Sequence, residues 1–408
     1  MNCRHCGSRL SLELIDLGTA PPSNAYLTDS QLRSPEKWYP LRVLVCEMCW
    51  LAQTEDFADA EELFSADYAY FSSFSSTWLR HAEDYVEMVT RRFELGRKSL
   101  VVELAANDGY LLQYFKARKI PCLGIEPTQS TASAAREKGL DIIEDFFGKK
   151  LAQKLVDQNK QADLIVANNV FAHVPDINDF VAGCVKILKS HGVATFEFQY
   201  LLTLIEQNQF DTIYHEHFSY LSLTSAVNII EAHGLKVFDV ERLPTHGGSL
   251  RVYVKQALNE SLGLSPNVTK LLAFEEKKGV RAGQFYKDFQ ARAVKIKNDF
   301  VHFLIETKRK GLRVGAYGAA AKGNTLLNFA GVRDDLLPYV VDSNPFKQGK
   351  YMPGSRIPIV SERYLVDDQP NLVLIMPWNL RDEILKQLVY ARDWGAKFLT
   401  AIPDLREE

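Results

Sequence analysis

Twice along this chain, short apolar runs alternate with helical patterns, and no other feature constrains its fold as strongly. In the first series, residues 99–104, 121–126, 141–144, 162–167 and 192–198 read as strands, with helices over 110–117 and 131–138. Parallel strands need crossover connections, so this alternation implies a mostly parallel, doubly wound sheet. A second series of about 100 residues starts at Gly311, with strands expected over 312–317, 338–342 and 372–375. Residues 76–95 carry apolar side chains at helical spacing, and 264–310, rich in Lys, Glu, Ala and Phe, read as long connecting helices. There is no further internal repeat and no low-complexity segment.

The six cysteines add a second constraint. Four form two pairs, Cys3-x-x-Cys6 and Cys46-x-x-Cys49, while Cys122 and Cys184 stand alone. The N-terminus, Met1-Asn2-Cys3-Arg4-His5-Cys6, has no apolar core of a secretion signal. A cytoplasmic location is therefore expected, where thiols stay reduced. Two such knuckles supply the four thiolates of a tetrahedral zinc site with no open position, which makes the metal structural. Gly7-Ser8 and Glu47-Met48 are expected to form tight turns that bring backbone N–H groups near sulfur. The 39 intervening residues exceed the simplest zinc spacing, and a pair of unrelated dithiols or a redox dithiol are the competing readings.

Length and charge set outer bounds. The 408 residues suggest two or three domains. Lys plus Arg total 48 against 51 for Asp plus Glu, a net charge of −3, which argues against a basic nucleic-acid binder and an acidic disordered tail. No apolar run reaches the ~18–20 residues of a membrane span, so no membrane partner is expected.

The loop after the first strand reads Glu103-Leu-Ala-Ala-Asn-Asp-Gly109, and the second strand ends in Gly124-Ile-Glu126-Pro127. An acidic strand end, a small-residue turn and a helix form a nucleotide-handling turn, and a carboxylate about 20 residues on suits a ribose diol. Only Gly109 remains of a glycine-rich fingerprint, so backbone cannot approach a pyrophosphate at several points. The loop therefore favours S-adenosylmethionine over NAD, with Glu103, Ala105, Asn107, Gly109 and Glu126 as contacts. Asn168 and Asn169, after the fourth strand, are expected to meet the adenosyl side. A generic βα turn of an oxidoreductase is the alternative.

Titratable chemistry is densest in Tyr214-His215-Glu216-His217-Phe218-Ser219-Tyr220. His217 suits a general base near neutral pH, Glu216 could orient an imidazole, and Tyr214 could donate to a developing oxyanion. A metal held by His215 and His217 on one face of an extended segment is a competing reading, as is a purely structural one with each imidazole satisfied by backbone. His173, at another strand's carboxyl end where doubly wound enzymes place their sites, tips the balance toward catalysis.

The C-terminal turn Val314-Gly-Ala-Tyr317-Gly-Ala-Ala-Ala-Lys322-Gly-Asn324-Thr325 follows a strand and opens a helix, a ready anion site. Lys322 is followed by Gly323, so this is not a Walker loop; a small-residue packing turn is the plain alternative. Asp342 could hold a ribose or cap Asn344. The run from Pro345 to Tyr351 looks like a covering loop.

Together, the paired cysteines, the Glu103–Gly109 turn, the Tyr214–Tyr220 cluster, His246-Gly-Gly-Ser-Leu-Arg-Val252 and the turn around Lys322 resemble the nucleotide-sugar C-3 methyltransferase family, which branches deoxysugars for antibiotics and surface polysaccharides. The resemblance runs nearly end to end. It implies a class I methyltransferase Rossmann-like doubly wound α/β sheet, flanked by a small N-terminal zinc-binding module and a second, C-terminal Rossmann-like domain. The expected bounds are 1–65 for the zinc module, 66–262 for the methyltransferase domain, and 263–408 for the connecting helices and nucleotide-sugar domain. His217 matches the family's C-3 proton abstractor, Tyr214, Glu216 and His173 its active-site partners, and Tyr68 an aromatic residue lining that site. Tyr70, Ala321, Lys322, Asn324, Asp342 and Lys347 are the expected substrate contacts, the last five at the diphosphate end. Gln199 departs from the apolar residue expected there.

The implied reaction moves a methyl group from S-adenosylmethionine to C-3 of a 4-keto deoxy nucleotide sugar, TDP-linked, through an enolate; the implied state is a monomer. Rival readings are an NAD-dependent sugar oxidoreductase, O- or N-methylation of a small metabolite, and a non-catalytic RNA scaffold, against which the net charge argues.

Overall fold

The protein is described from a computed structural model covering residues 1–57, Leu63 and residues 71–408. Tyr68 and Tyr70 lie outside the described residues.

The N-terminal module is built on three antiparallel strands, β1 (Leu12–Ala20), β2 (Tyr39–Val45) and β3 (Ala52–Thr54). The sequence analysis identified none of them, because the module is short and its cysteines dominate its pattern. Its two knuckles have the same geometry: Gly7 N–H donates to the Cys3 carbonyl at 3.0 Å and Trp50 N–H to the Cys46 carbonyl at 2.8 Å. Both Gly7 and Trp50 have positive φ. The first turn closes at Gly7, as Gly7-Ser8 suggests, and the second at Trp50, two residues beyond Met48.

The central domain contributes β4 (Val101–Leu104), β5 (Cys122–Ile125), β6 (Ile142–Ile143), β7 (Ala162–Asn168) and β8 (Leu188–Gln199). A two-residue strand, β9 (Ser219–Tyr220), leaves this domain and extends the N-terminal sheet, pairing Ala52 with Tyr220 and Gln53 with Ser219. The chain then returns through β10 (Leu235–Leu243) and β11 (Ser249–Gln256). The seven-stranded sheet runs β10-β11-β8-β7-β4-β5-β6, and β11 is antiparallel to both neighbours. The parallel part matches expectation. Neither β10 nor β11 was singled out in the sequence; the connection of only five residues between them, Pro244 to Gly248, cannot carry a parallel crossover and makes them an antiparallel hairpin. This strand order is the class I methyltransferase arrangement expected from the resemblance.

Strand order reverses between β4 and β7, so their carboxyl ends open a crevice at the switch point. The C-terminal sheet has the same logic. Its strands are β12 (Val314–Tyr317), β13 (Val340–Val341), β14 (Ile359–Val360), β15 (Leu372–Ile375), β16 (Lys397–Thr400) and β17 (Arg406–Glu407). Their order is β14-β13-β12-β15-β16-β17, with a switch between β12 and β15.

Two helices connect the α/β domains, Pro266–Lys278 and Phe289–Arg309. The first is capped by the Ser265 hydroxyl and stopped by Gly279 in the left-handed region. The second buries Phe289, Ala293, Ile296, Phe300 and Leu304, a stripe at three- and four-residue spacing. That stripe shares one core with Ile15, Val43 and Val45 of the N-terminal sheet and with Leu327 and Ile357 of the C-terminal domain. The knuckle residues Cys3, Cys46 and Cys49 instead share the central domain's core with Leu223 and Ile229. The N-terminal module is therefore wedged between the two α/β domains. No helix among the described residues is long and apolar enough to cross a membrane.

Candidate active site

The four cysteine sulfurs lie within 4.8 Å of one another, with Cys3 and Cys49, and Cys6 and Cys46, 3.5 Å apart. A tetrahedral zinc with bonds of about 2.3 Å sets its sulfurs roughly 3.8 Å apart. The residues fit the metal and leave it no open position. Arg4, inside the first knuckle, donates to the Pro175 carbonyl at 2.8 Å, the Thr54 carbonyl at 3.1 Å and the Asp56 carboxylate at 2.8 Å. Asn178 donates back to the carbonyls of Arg4 and His5. The knuckle is thus stitched to the loop that follows β7.

Glu103, Ala105, Asn107, Gly109, Glu126, Asn168 and Asn169 gather at the carboxyl ends of the neighbouring strands β4, β5 and β7. The first loop is a tight coil with positive φ at Ala105, Asn107 and Gly109. A Cβ on Gly109 would stand 2.2 Å from Leu140, so the turn requires glycine. Glu126 joins two loops, accepting from Asn107 N–H at 2.8 Å and Thr128 N–H at 3.0 Å. Burial, with Glu126 and Asp108 nearby, raises the Glu103 carboxyl well above its usual range. Among the described residues, Glu103 Oε2, both side-chain heteroatoms of Asn168, and Asn169 Nδ2 are buried without a hydrogen-bond partner. Leaving such an atom unpaired costs about 1–3 kcal/mol. These groups fit a polar ligand such as S-adenosylmethionine, which would satisfy them.

The segment 210–220 turns sharply, with His217 N–H donating to the Tyr214 carbonyl at 2.9 Å. It is therefore not extended, and His215 and His217 point apart. His215 Nε2 faces the carbonyls of Tyr39 and Pro40 at 3.3 and 3.2 Å, which removes the metal reading for this pair. His217 Nδ1 lies 2.9 Å from the Thr212 carbonyl. A carbonyl only accepts, so Nδ1 carries the proton and Nε2 presents a lone pair. The His217 ring centre lies 4.0 Å from that of Tyr214 and 4.6 Å from that of His173. His173 is fixed in the same tautomer, donating to the Glu216 carbonyl at 2.7 Å. Glu216 itself turns toward the N-terminal module, where Asn24 donates to it at 3.1 Å. It thus shapes the turn rather than touching an imidazole.

Burial, with His173 and Lys322 adding to it, pushes the His217 imidazole well below its usual value. Burial takes His173 down to about 4. Both rings are neutral near pH 7.

The second switch point closes the site. Asp342 accepts from the N–H groups of Ala319 and Asn344, both at 2.8 Å, so of its two expected roles the cap is the one its contacts show. Lys347 donates to the Ala319 carbonyl at 2.8 Å and stands 3.7 Å from Asp342. The helix Ala321–Ala330 follows, carrying Lys322 and the buried Asn324. Its Thr325 hydroxyl donates to the Ile213 carbonyl at 2.8 Å, which presses the helix's start against the His217 segment. The covering loop brings Phe346 onto Phe71, the ring centres 5.7 Å apart.

Several residues around the site were not singled out in the sequence. Asp211 accepts from Trp378 Nε1 at 2.7 Å, and burial pushes its carboxyl up to about 7. Trp378 in turn fills the space a Cβ on Gly247 would need. Glu197, at the end of β8, accepts from His81, Arg251 and Thr245. Burial alone would raise that carboxyl, but His81 and Arg251 hold it at about 2. Trp78 stacks on His81 and meets the tilted ring of His246, each centroid 4.9 Å away. Gln199, rather than being an intruder, donates to Gln209 at 3.0 Å, and Gln209 donates to the Gly247 carbonyl. Glu197 sits near a strand end and His246 and Arg251 lie in the segment 246–252, whereas Trp78 and His81 stand on the helix Ser76–Arg92, where nothing in the sequence marks them.

A seven-stranded switch-point crevice with unpaired polar groups, facing an imidazole cluster and a four-sulfur knuckle, defines a multidomain methyltransferase. Residues 3–64 match the family model of a zinc binding domain, 78–240 a methyltransferase domain, and 244–403 a C-methyltransferase C-terminal domain. The chain is 32% identical over 404 residues to the C-methyltransferase NovU of Streptomyces niveus, covering 99% of this chain and 96% of that one. It belongs to this C-methyltransferase family. Solved structures with similarity to part of the chain include a SAM-dependent methyltransferase from Archaeoglobus fulgidus, with TM-score 0.35, 13% identity and coverage of 44% of this chain and 100% of that one. Another is the PH0226 protein of Pyrococcus horikoshii OT3, with TM-score 0.38, 14% identity and coverage of 49% and 100%.

Proposed function

We propose that the enzyme methylates C-3 of a 4-keto deoxy nucleotide sugar, TDP-linked, through an enolate formed by His217. One observation carries this reading: an imidazole with Nδ1 committed to a carbonyl and Nε2 open, standing at the seam of two switch-point crevices. Carbon becomes nucleophilic when a neighbouring ketone accepts charge, so the reaction needs a base, an oxyanion donor and a held methyl group. His217 Nε2 takes the C-3 proton. Tyr214, its ring beside that of His217, supplies a donor toward the C-4 oxygen; one such donor is worth about 2.7–4 kcal/mol. His173, neutral and with its one N–H held by the Glu216 carbonyl, packs against His217 and keeps that ring in place. Glu103, Ala105, Asn107, Gly109, Glu126, Asn168 and Asn169 would hold S-adenosylmethionine, which when bound supplies an electrophilic methyl group on sulfur. Ala321, Lys322, Asn324, Asp342 and Lys347 take the nucleotide-sugar side. Zinc stays at the four cysteines.

The test is incubation with S-adenosylmethionine and a panel of 4-keto nucleotide sugars. A product heavier by one methylene, with its new methyl on carbon, is expected; a methyl on oxygen or nitrogen overturns the reading.

The pH profile gives an independent check. The working base is neutral imidazole, and burial lowers the His217 pKa, so that form persists into acid. The acid limb of kcat/KM, which reports the free enzyme, is expected below pH 6.5. A limb above that value would assign the base elsewhere.

A further inference from the structure

Lys322 stands in the first turn of the ten-residue helix Ala321–Ala330. The Thr325 bond to Ile213 sets that turn against the segment leading into Tyr214 and His217. On its other side, Trp378 holds Asp211. Among the described residues Lys322 donates no hydrogen bond and has no carboxylate within 4.0 Å, although its charge acts on Asp211, His217 and His246. Near it, Asp211 Oδ1 and His246 Nε2 are, among the described residues, buried and likewise unpaired. An uncommitted ammonium beside two unpaired buried polar atoms is suited to meet a polar group.

The sign of that group follows from the neighbours. Burial keeps His173, His217 and His246 neutral. Arg251 is spent on Glu197, and Lys347 on Ala319 and Asp342. Lys322 is left as the uncommitted cation facing the imidazoles. Resting on the function proposed above, we propose that Lys322 is a catalytic residue whose ammonium faces the C-4 oxygen as the enolate forms, rather than a clamp on the diphosphate. The C-3–H bond breaks and its proton goes to His217 Nε2. The bonding pair forms the C-3=C-4 double bond, and the carbonyl π pair moves onto oxygen opposite Lys322, which keeps its protons. A fixed ammonium in a water-poor pocket stabilises that developing charge far more than it would in water.

The test uses the full-length, zinc-loaded protein with Lys322→Met, Lys322→Gln and Lys322→Arg. With S-adenosylhomocysteine replacing the methyl donor, exchange of the C-3 proton for deuterium isolates enolate formation. Lys322→Met and Lys322→Gln are expected to slow exchange about 10²–10³-fold, with Lys322→Arg recovering part of it. Binding of TDP, measured by calorimetry, should stay within about twofold of wild type, because it reads the diphosphate end alone. TDP binding weakened tenfold with exchange unchanged would make Lys322 a diphosphate clamp, and no change in either would leave it outside the site; both overturn the proposal. Zinc content and S-adenosylhomocysteine binding verify the fold, and Lys322→Gln carries the comparison if Lys322→Met fails to fold. A wild-type enzyme that exchanges no C-3 proton of any 4-keto nucleotide sugar overturns the proposed function itself, a result separate from any variant effect.

Discussion

Replacing His217 with Asn is expected to cut kcat by about 10²–10⁴, the range a positioned general base contributes, while S-adenosylmethionine binding stays within about twofold. The two effects separate because the groups lie on different elements. The proposed cofactor groups belong to the loops after β4, β5 and β7, whereas His217 belongs to a turn that leaves the central sheet for the N-terminal one. Asn is the informative replacement. Its amide N–H₂ can still donate toward the Thr212 carbonyl, as Nδ1 does at 2.9 Å, so the turn keeps its anchor. What disappears is the lone pair of Nε2. Single-turnover kinetics and calorimetry on one preparation check both halves. Near-wild-type turnover on the true substrate would pass the base role to another group, such as the neighbouring imidazole of His173.

Replacing Cys49 with Ser is expected to release zinc and lower both stability and turnover. Structural zinc contributes about 10–16 kcal/mol in isolated zinc-finger peptides. Even ~3 kcal/mol would lower the melting temperature by roughly 6–12 °C at 2–4 °C per kcal/mol. Activity suffers because the second knuckle runs directly into β3, where Thr54 holds the His217 carbonyl through its hydroxyl at 3.1 Å and the Phe218 carbonyl through its N–H at 3.2 Å. The first knuckle reaches the same site through Arg4, which grips Pro175 and lies over the Phe218 ring at 5.4 Å. Metal analysis, calorimetric melting and kcat are the measurements. Lost zinc with unchanged kcat and unchanged melting would show the knuckles to be ornamental.

The parallel strands were legible because buried strands read as short runs dominated by Val, Ile and Leu, as in β4, β7 and β15. Some short elements were not: β9 and β14 have two residues each, too few for any periodicity. The shared-face reading of His215 and His217 failed for a related reason. Alternation assigns faces only to extended chain, and this segment turns. Individual site residues were legible where a titratable side chain fell at a strand's end, as with Glu103 and His173. The partners Asp211, Trp378 and His246 come from separate elements, so only folding reveals them as neighbours. Glu216 stood out for its charge, yet its contact with Asn24 spans most of two domains.

The pairing of β3 with β9 bears on how this protein could be recombined with its relatives. A chimera cut at the chain's apparent boundary, near residue 65, would graft a foreign sheet edge beneath a native histidine. The hydrogen bonds from Thr54 to residues 217 and 218 would then join sequences of different parentage. Exchanges that carry residues 210–220 along with the first sixty keep that joint of one lineage, although the transplanted piece is discontinuous in the chain.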